Sequence, residues 1–145
     1  MATPGHEIYP YGKRNWYPHM MPEDVAIWER FMQQFPDMYD SCEYDVKVGQ
    51  PPEFVTGHDD EAMRAQAPLY QRKIDVVGYK GDQIDIIELK PRASTSALGQ
   101  VNGYRHLYMR DYTPPETPKA VVITDQLLPE MDELAAAAGV QLVVV

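Results

Sequence analysis

RKIDVVGYKGDQIDIIELK, residues 72–90, reads as two strands joined by a tight turn. Ile74, Val76 and Val77 mark the first strand; Ile84, Ile86, Ile87 and Leu89 mark the second. β-Branched residues dominate both, and Gly81-Asp82 breaks the chain between them. A two-residue loop with glycine first suits a type II′ hairpin turn, whose twist matches the strands it joins. That loop fixes a register: Lys80 faces Gln83, Tyr79 faces Ile84, Val77 faces Ile86, and Asp75 faces Glu88.

Side chains alternate faces along a strand, so Ile84, Ile86, Glu88 and Lys90 point one way, and Tyr79, Val77 and Asp75 continue that face. The face is apolar near the turn and charged at its far end. Two facing carboxylates have Cβ atoms roughly 4.5–5.5 Å apart, where like charges destabilise a sheet. A divalent cation with oxygen ligands would neutralise them, and Lys90 adds a positive charge two residues beyond Glu88.

Upstream, residues 1–21 are rich in Tyr, Pro and His without helical or strand period, and read as an extended arm. Its aromatics (Tyr9, Tyr11, Trp16, Tyr17) are too many for a solvated tail. They are expected to dock on another chain or on a groove of the same domain away from Asp75 and Glu88. Pro22-Glu23-Asp24 suits a helix start, and Val25, Trp28, Met32 and Phe35, widened by Ile27 and Phe31, form its apolar stripe up to Pro36. A first strand over 39–48 puts Cys42, Tyr44, Val46 and Val48 on one side, with Asp45 and Lys47 on the other. Residues 49–58 read as a Pro/Gly loop, and 59–67 as a short helical turn ended by Pro68. His58-Asp59-Asp60-Glu61 has the residue types of a metal cluster, but consecutive acids before a helix more often cap it.

Downstream, Pro91 ends the second hairpin strand, and Ser94-Thr95-Ser96 offers N-caps for a helix to about Tyr108 with the stripe Ala97, Val101, Tyr104 and Tyr108. Gln100 and Tyr104 lie one turn apart on it. Gly103 in its interior costs about 1 kcal/mol against alanine, which suggests a close approach there. Residues 120–123 form a buried strand, 129–138 an alanine-rich helix capped by Gly139, and 140–145 a last apolar strand. The order αβββαβαβ implies an α/β fold: a mixed central β-sheet flanked by helices, in a single domain over 22–145 behind the arm.

With 145 residues and one cysteine, the chain needs no disulfide staple and can form none internally, which points to a reducing compartment. No apolar leader and no membrane-length run occurs, so a soluble, cytoplasmic protein is expected. Net charge is −9, which at first speaks against nucleic acid, but its distribution does not. Residues 62–110 hold eight basic side chains against four acids, two of them Asp75 and Glu88, while both flanks are strongly acidic. The basic excess thus lies around the candidate site.

Asp75 followed by Glu88-Leu89-Lys90 on the adjacent strand resembles the PD-(D/E)XK nuclease superfamily, with Ile74 in place of the proline of that name. Gln100-x-x-x-Tyr104 on the next helix is similar to the motif of RecB-type exonuclease domains. The resemblance implies a restriction-endonuclease-like core and a metal-dependent deoxyribonuclease. It implies Mg²⁺ (or Mn²⁺) held by Asp75, Glu88 and the Leu89 carbonyl, with Glu29 of the first helix as a further contributor. It makes Lys90 the residue that positions or deprotonates the attacking water, and Gln100 and Tyr104 orienting groups. DNA is the implied partner, with Arg72, Lys73, Arg92 and Arg105 as candidate phosphate contacts. Glu29 also reads as a solvated helix-flank acid, Tyr104 as core and Gln100 as a surface amide.

A rival class is a nuclease-fold subunit that has lost or repurposed its chemistry within a larger assembly such as a phage particle. There the arm would grip a protein partner or a second copy. The acidic balance and the aromatic arm favour it; the intact Asp75, Glu88 and Lys90 favour the enzyme. A His-based small-molecule metalloenzyme has no His-x-x-x-His spacing to support it.

Overall fold

The structure is a computed structural model that describes residue 3, residues 5–50, residue 61 and residues 71–145. In chain order its elements are β1 (Tyr9–Pro10), α1 (Pro22–Gln34), β2 (Ser41–Val48), β3 (Arg72–Lys80), β4 (Gln83–Leu89), α2 (Thr95–Tyr112), β5 (Lys119–Thr124), α3 (Met131–Ala137) and β6 (Val140–Val144). The loop expected over 49–58, the helical turn over 59–67 and the His58–Glu61 cluster fall outside the described residues, apart from Gly49, Gln50 and Glu61. Among the described residues no helix is long and apolar enough to cross a membrane.

The strands form one sheet in the order β1-β2-β3-β4-β5-β6, antiparallel from β1 to β4 and parallel from β4 to β6. This is an α/β fold with a mixed sheet, in the order expected from the hairpin outward. The turn behaves as its residues require: Gly81 has φ 55°, and Lys80 pairs with Gln83, Tyr79 with Ile84 and Val77 with Ile86.

Strand β4 is apolar on both sides because both sides are covered. Ile84 and Ile86 join Val77, Tyr79 and Val122 beneath α2 and α3, whose Ala97, Val101, Tyr108, Met131 and Ala135 close that core. Ile87 and Leu89 join Val76, Val121 and Ile123 beneath α1, whose Ile27, Trp28, Phe31 and Met32 close the other. Trp28 is fully buried and donates its indole N–H to the Tyr44 hydroxyl, 3.0 Å away.

Strand β2 departs from the expected alternation. Cys42 and Tyr44 lie in the α1 core, but Val46 and Val48 lie in the α2 core. Asp45 between them has φ 55°, and this left-handed residue switches the strand's parity. Helix α2 also runs further than its stripe suggested, because Tyr112 packs on the core and donates its hydroxyl to the Lys47 carbonyl at 2.6 Å. Ser94 occupies its N-cap without a side-chain capping bond. The close approach expected at Gly103 is absent: a Cβ there would meet open space.

The arm lies on its own domain. Tyr9 and Pro10 add to the sheet edge opposite Cys42 and Ser41, the Tyr11 hydroxyl donates to the Phe35 carbonyl at 2.7 Å, and Tyr17 is buried. Trp16 is the exception, at 63% exposure.

Gly78 has its own steric reason. A Cβ there would stand 2.8 Å from the Tyr39 ring, and that ring is fixed by its hydroxyl donating to Asp85 at 2.6 Å. Gly78→Ala should therefore destabilise the fold by about 1–3 kcal/mol. Urea denaturation should show this as a lower midpoint at unchanged slope.

Candidate active site

The site forms where β3 and β4 part. Their ladder runs from Lys80–Gln83 to Val76–Ile87, and the next step would set Asp75 against Glu88. The Leu89 amide instead donates to Asp75 Oδ2 at 2.8 Å, and the Glu88 carboxyl lies beside Asp75 in the same cavity. Beyond them, β4 is tied to β5 by the Lys90 amide, which donates to the Ile123 carbonyl at 3.0 Å. Asp75, Glu88, Leu89 and Lys90 line one cavity of about 470 Å³, closed on its other side by Met21–Asp24 at the start of α1.

Both acids are held above their ordinary range. For Asp75 the main cause is burial, opposed by the Leu89 amide and the Glu88 contact and reinforced by the charges of Asp24 and Asp45. For Glu88 it is again burial, followed by the charge of Asp75. Lys90 pulls Glu88 the other way without cancelling these effects. Glu88 Oε2 is buried with no hydrogen-bond partner. The other buried glutamate, Glu43, shows the contrast: it accepts from the Thr3 amide and hydroxyl and from the Tyr79 hydroxyl. A buried carboxylate left without donors is one that a proton or a cation must complete.

The donor set fits a hard divalent cation. Asp75 and Glu88 offer carboxylate oxygens, and the Leu89 carbonyl stands on the backbone between Glu88 and Lys90. Among the described residues no three His, Cys, Asp or Glu side chains group closely enough to hold a metal by themselves. Two protein carboxylates with waters completing the shell is the pattern of Mg²⁺ rather than of a caged ion.

The remaining candidates are placed differently. Glu29 is not brought to this cavity: it lies on another side of α1, where it accepts the Tyr17 hydroxyl at 2.9 Å. Asp24 takes the position at the cavity wall, with its own carboxyl raised by burial and lowered by Lys90. The sequence did hold a signal for it. Asp24, Ile27, Trp28 and Phe31 have the spacing of a single helical face, so Asp24 extends the buried stripe by one turn with a carboxylate. Tyr104 is half-buried on α2; burial raises its phenol first, and the charges of Glu88 and Asp75 raise it further. Gln100 and Arg72 are exposed, and Lys73 and Arg105 are half-buried. Arg92 is exposed with φ 45°, its amide donating to Asp125 at 2.8 Å. None of these six lines the cavity.

No family model matches the chain, and no curated protein does. Among solved structures it is similar to a repair endonuclease from Pyrococcus abyssi (TM-score 0.43, 23% identity), covering 50% of this chain and 32% of that one. It is also similar to the protein in the structure of an EndoMS-dsDNA2 complex (TM-score 0.49, 16% identity), covering 92% and 48%. The chain thus spans about a third and about half of their lengths. At these scores neither likeness bears on the site, which rests on its own geometry.

The buried pair makes stability depend on pH with a definite sign. Burial and the charge of Asp75 hold folded Glu88 well above the ordinary glutamate value of 4.5, so the folded chain keeps this proton to higher pH than the unfolded one. Across that window the unfolded chain binds fewer protons, so the metal-free protein loses stability as pH rises. Glu88→Gln should flatten this slope and stabilise the metal-free protein by about 1–3 kcal/mol at pH 8, read from thermal or urea unfolding between pH 5 and 9.

Proposed function

We propose that the protein is a metal-dependent deoxyribonuclease of the PD-(D/E)XK type, hydrolysing DNA phosphodiester bonds at the Asp75–Glu88–Lys90 cavity. One observation carries this reading. Two acids from adjacent strands converge on one open cavity, Glu88 Oε2 has no donor among the described residues, and Lys90 stands exposed at the same cavity. A scaffold gains nothing from that arrangement, since paired buried acids cost stability.

When bound, Mg²⁺ or Mn²⁺ would lower the pKa of a coordinated water and neutralise charge on the scissile phosphate. Asp75 and Glu88 would hold the ion, each fixed by its strand, with Asp75 further oriented by the Leu89 amide. Lys90 is exposed at the cavity wall, where its ammonium can hold the attacking water or stabilise charge on the phosphate oxygens. Asp24 faces the same space from α1 and is suited to hold metal-bound water rather than the metal. Tyr104 does not line the cavity but lies near enough on α2 to feel the charges of Glu88 and Asp75, so its phenol could orient a phosphate, and Gln100 one turn before it could assist.

Incubation with linear, circular and single-stranded DNA should show cleavage of at least one of them with Mg²⁺ or Mn²⁺ and of none with EDTA. Asp75→Asn keeps an acceptor for the Leu89 amide, and Lys90→Ala removes only an exposed charge, so both should fold while losing at least about a hundredfold in rate. Gln100→Ala should lose less. Metal-stimulated cleavage that survives in folded Asp75→Asn would overturn the assignment.

A further inference from the structure

The N-terminal arm builds a second feature beside this cavity. Along the outer side of α1 run two further cavities, of about 710 and about 380 Å³, which share Lys13 and Glu29 as lining residues. The first also takes Arg30; the second takes Arg14 and Trp16. The second shares no lining residue with the Asp75–Glu88 cavity, but the two linings adjoin along the chain at Met20–Met21 and at Asp24–Val25. All three are lined in part by residues of α1, a 13-residue helix about 20 Å long, with Asp75 and Glu88 near its N-terminal end.

The chemistry changes along this helix. Lys13, Arg14 and Arg30 take no carboxylate partner among the ion pairs of the described residues. Arg14 lies 4.5 Å over the Tyr9 ring and has an Nε without an acceptor. The one carboxylate lining these two cavities, Glu29, is engaged by the Tyr17 hydroxyl. Among these cations stands Trp16, the most exposed aromatic of an arm whose tyrosines pack inward. Cations at intervals beside a free indole face are the elements that bind a single nucleic-acid strand: phosphates on the cations, a base stacked on the ring.

We infer that the arm and α1 form a track for single-stranded DNA, with a base stacked on Trp16 and its backbone led past Lys13 and Arg14 into the Asp75–Glu88 cavity. A duplex fits less well. Its internal bases have no free face for an indole, and a chain of net charge −9 has few cations to grip two backbones. The inference rests on the nuclease reading for the strand's destination, but not for its binding.

The test is therefore a binding measurement in EDTA, where no cleavage occurs. The chain has two tryptophans, and Trp28 is fully buried, so a change in exposed-type emission reports Trp16. Oligothymidylate should quench that emission, and a blunt duplex of equal length should not. By anisotropy of labelled oligothymidylate, Trp16→Ala should weaken binding on the order of tenfold, and Trp16→Phe much less. Lys13→Ala should lower the salt slope by about 0.7. Absent quenching, unchanged affinity in Trp16→Ala, or equal binding of the duplex would each overturn the track. An inactive protein that still binds oligothymidylate through Trp16 would sink the nuclease reading alone. An active one that fails these binding tests would sink the track alone.

Discussion

The hydrogen bond from the Leu89 amide to Asp75 closes a ladder that like charges would otherwise hold open. Without it, β3 would carry an unpaired acid where its ladder with β4 stops while β4 remains paired with β5. With it, Asp75 accepts from the backbone and its neighbour Glu88 is left with an unpartnered oxygen. The sheet can tolerate this because everything else about β4 is secured. The strand is apolar on both sides, flanked by antiparallel β3 and parallel β5, and covered by α1 on one face and by α2 and α3 on the other. The strain of one polar pair is carried by two cores.

Two buried glutamates show how environment decides what a carboxylate can do. Glu43 is wholly enclosed and surrounded by hydroxyls from Thr3 and Tyr79, with Tyr108 extending the network. Both of its oxygens accept hydrogen bonds from the protein, so it needs nothing from outside. Glu88 sits at a cavity wall beside another acid, with a lysine at the rim as the nearest compensation. The first is part of the packing, whereas the second is open to a ligand.

Much of this was legible in the sequence, and for local reasons. Gly81-Asp82 sets the hairpin register by itself, and the stripes of α1 and α2 follow from spacing alone. That register brings Asp75 and Glu88 to the same end of the hairpin, but the shared face expected for Asp75, Val77 and Ile86 does not follow, because Ile74 itself packs in the layer of Val77 and Ile86. What the sequence hid depends on contacts between elements. Asp24 looked like a helix-start charge because nothing local says that α1 begins against the end of β4. Glu29 was the natural helix acid by resemblance, but the arm's Tyr17 claims it. The parity switch in β2 turns on one left-handed aspartate, a conformation that Asp tolerates but does not announce. Gly103 suggested a neighbour where there is open space, because glycine on an exposed helix face carries a cost without requiring a contact.

That switch has a further consequence. Before Asp45, β2 contributes Cys42 and Tyr44 to the layer under α1; after it, Val46 and Val48 belong to the layer under α2. Like the central strands β3, β4 and β5, β2 thus serves both halves of the molecule, but it does so by a change of parity along its length rather than by alternation alone. Loosening the α1 layer withdraws support from the segment that carries Val46 and Val48, and loosening the α2 layer does the same to Cys42 and Tyr44. The two cores are chemically separate but mechanically one, and they stand or melt together.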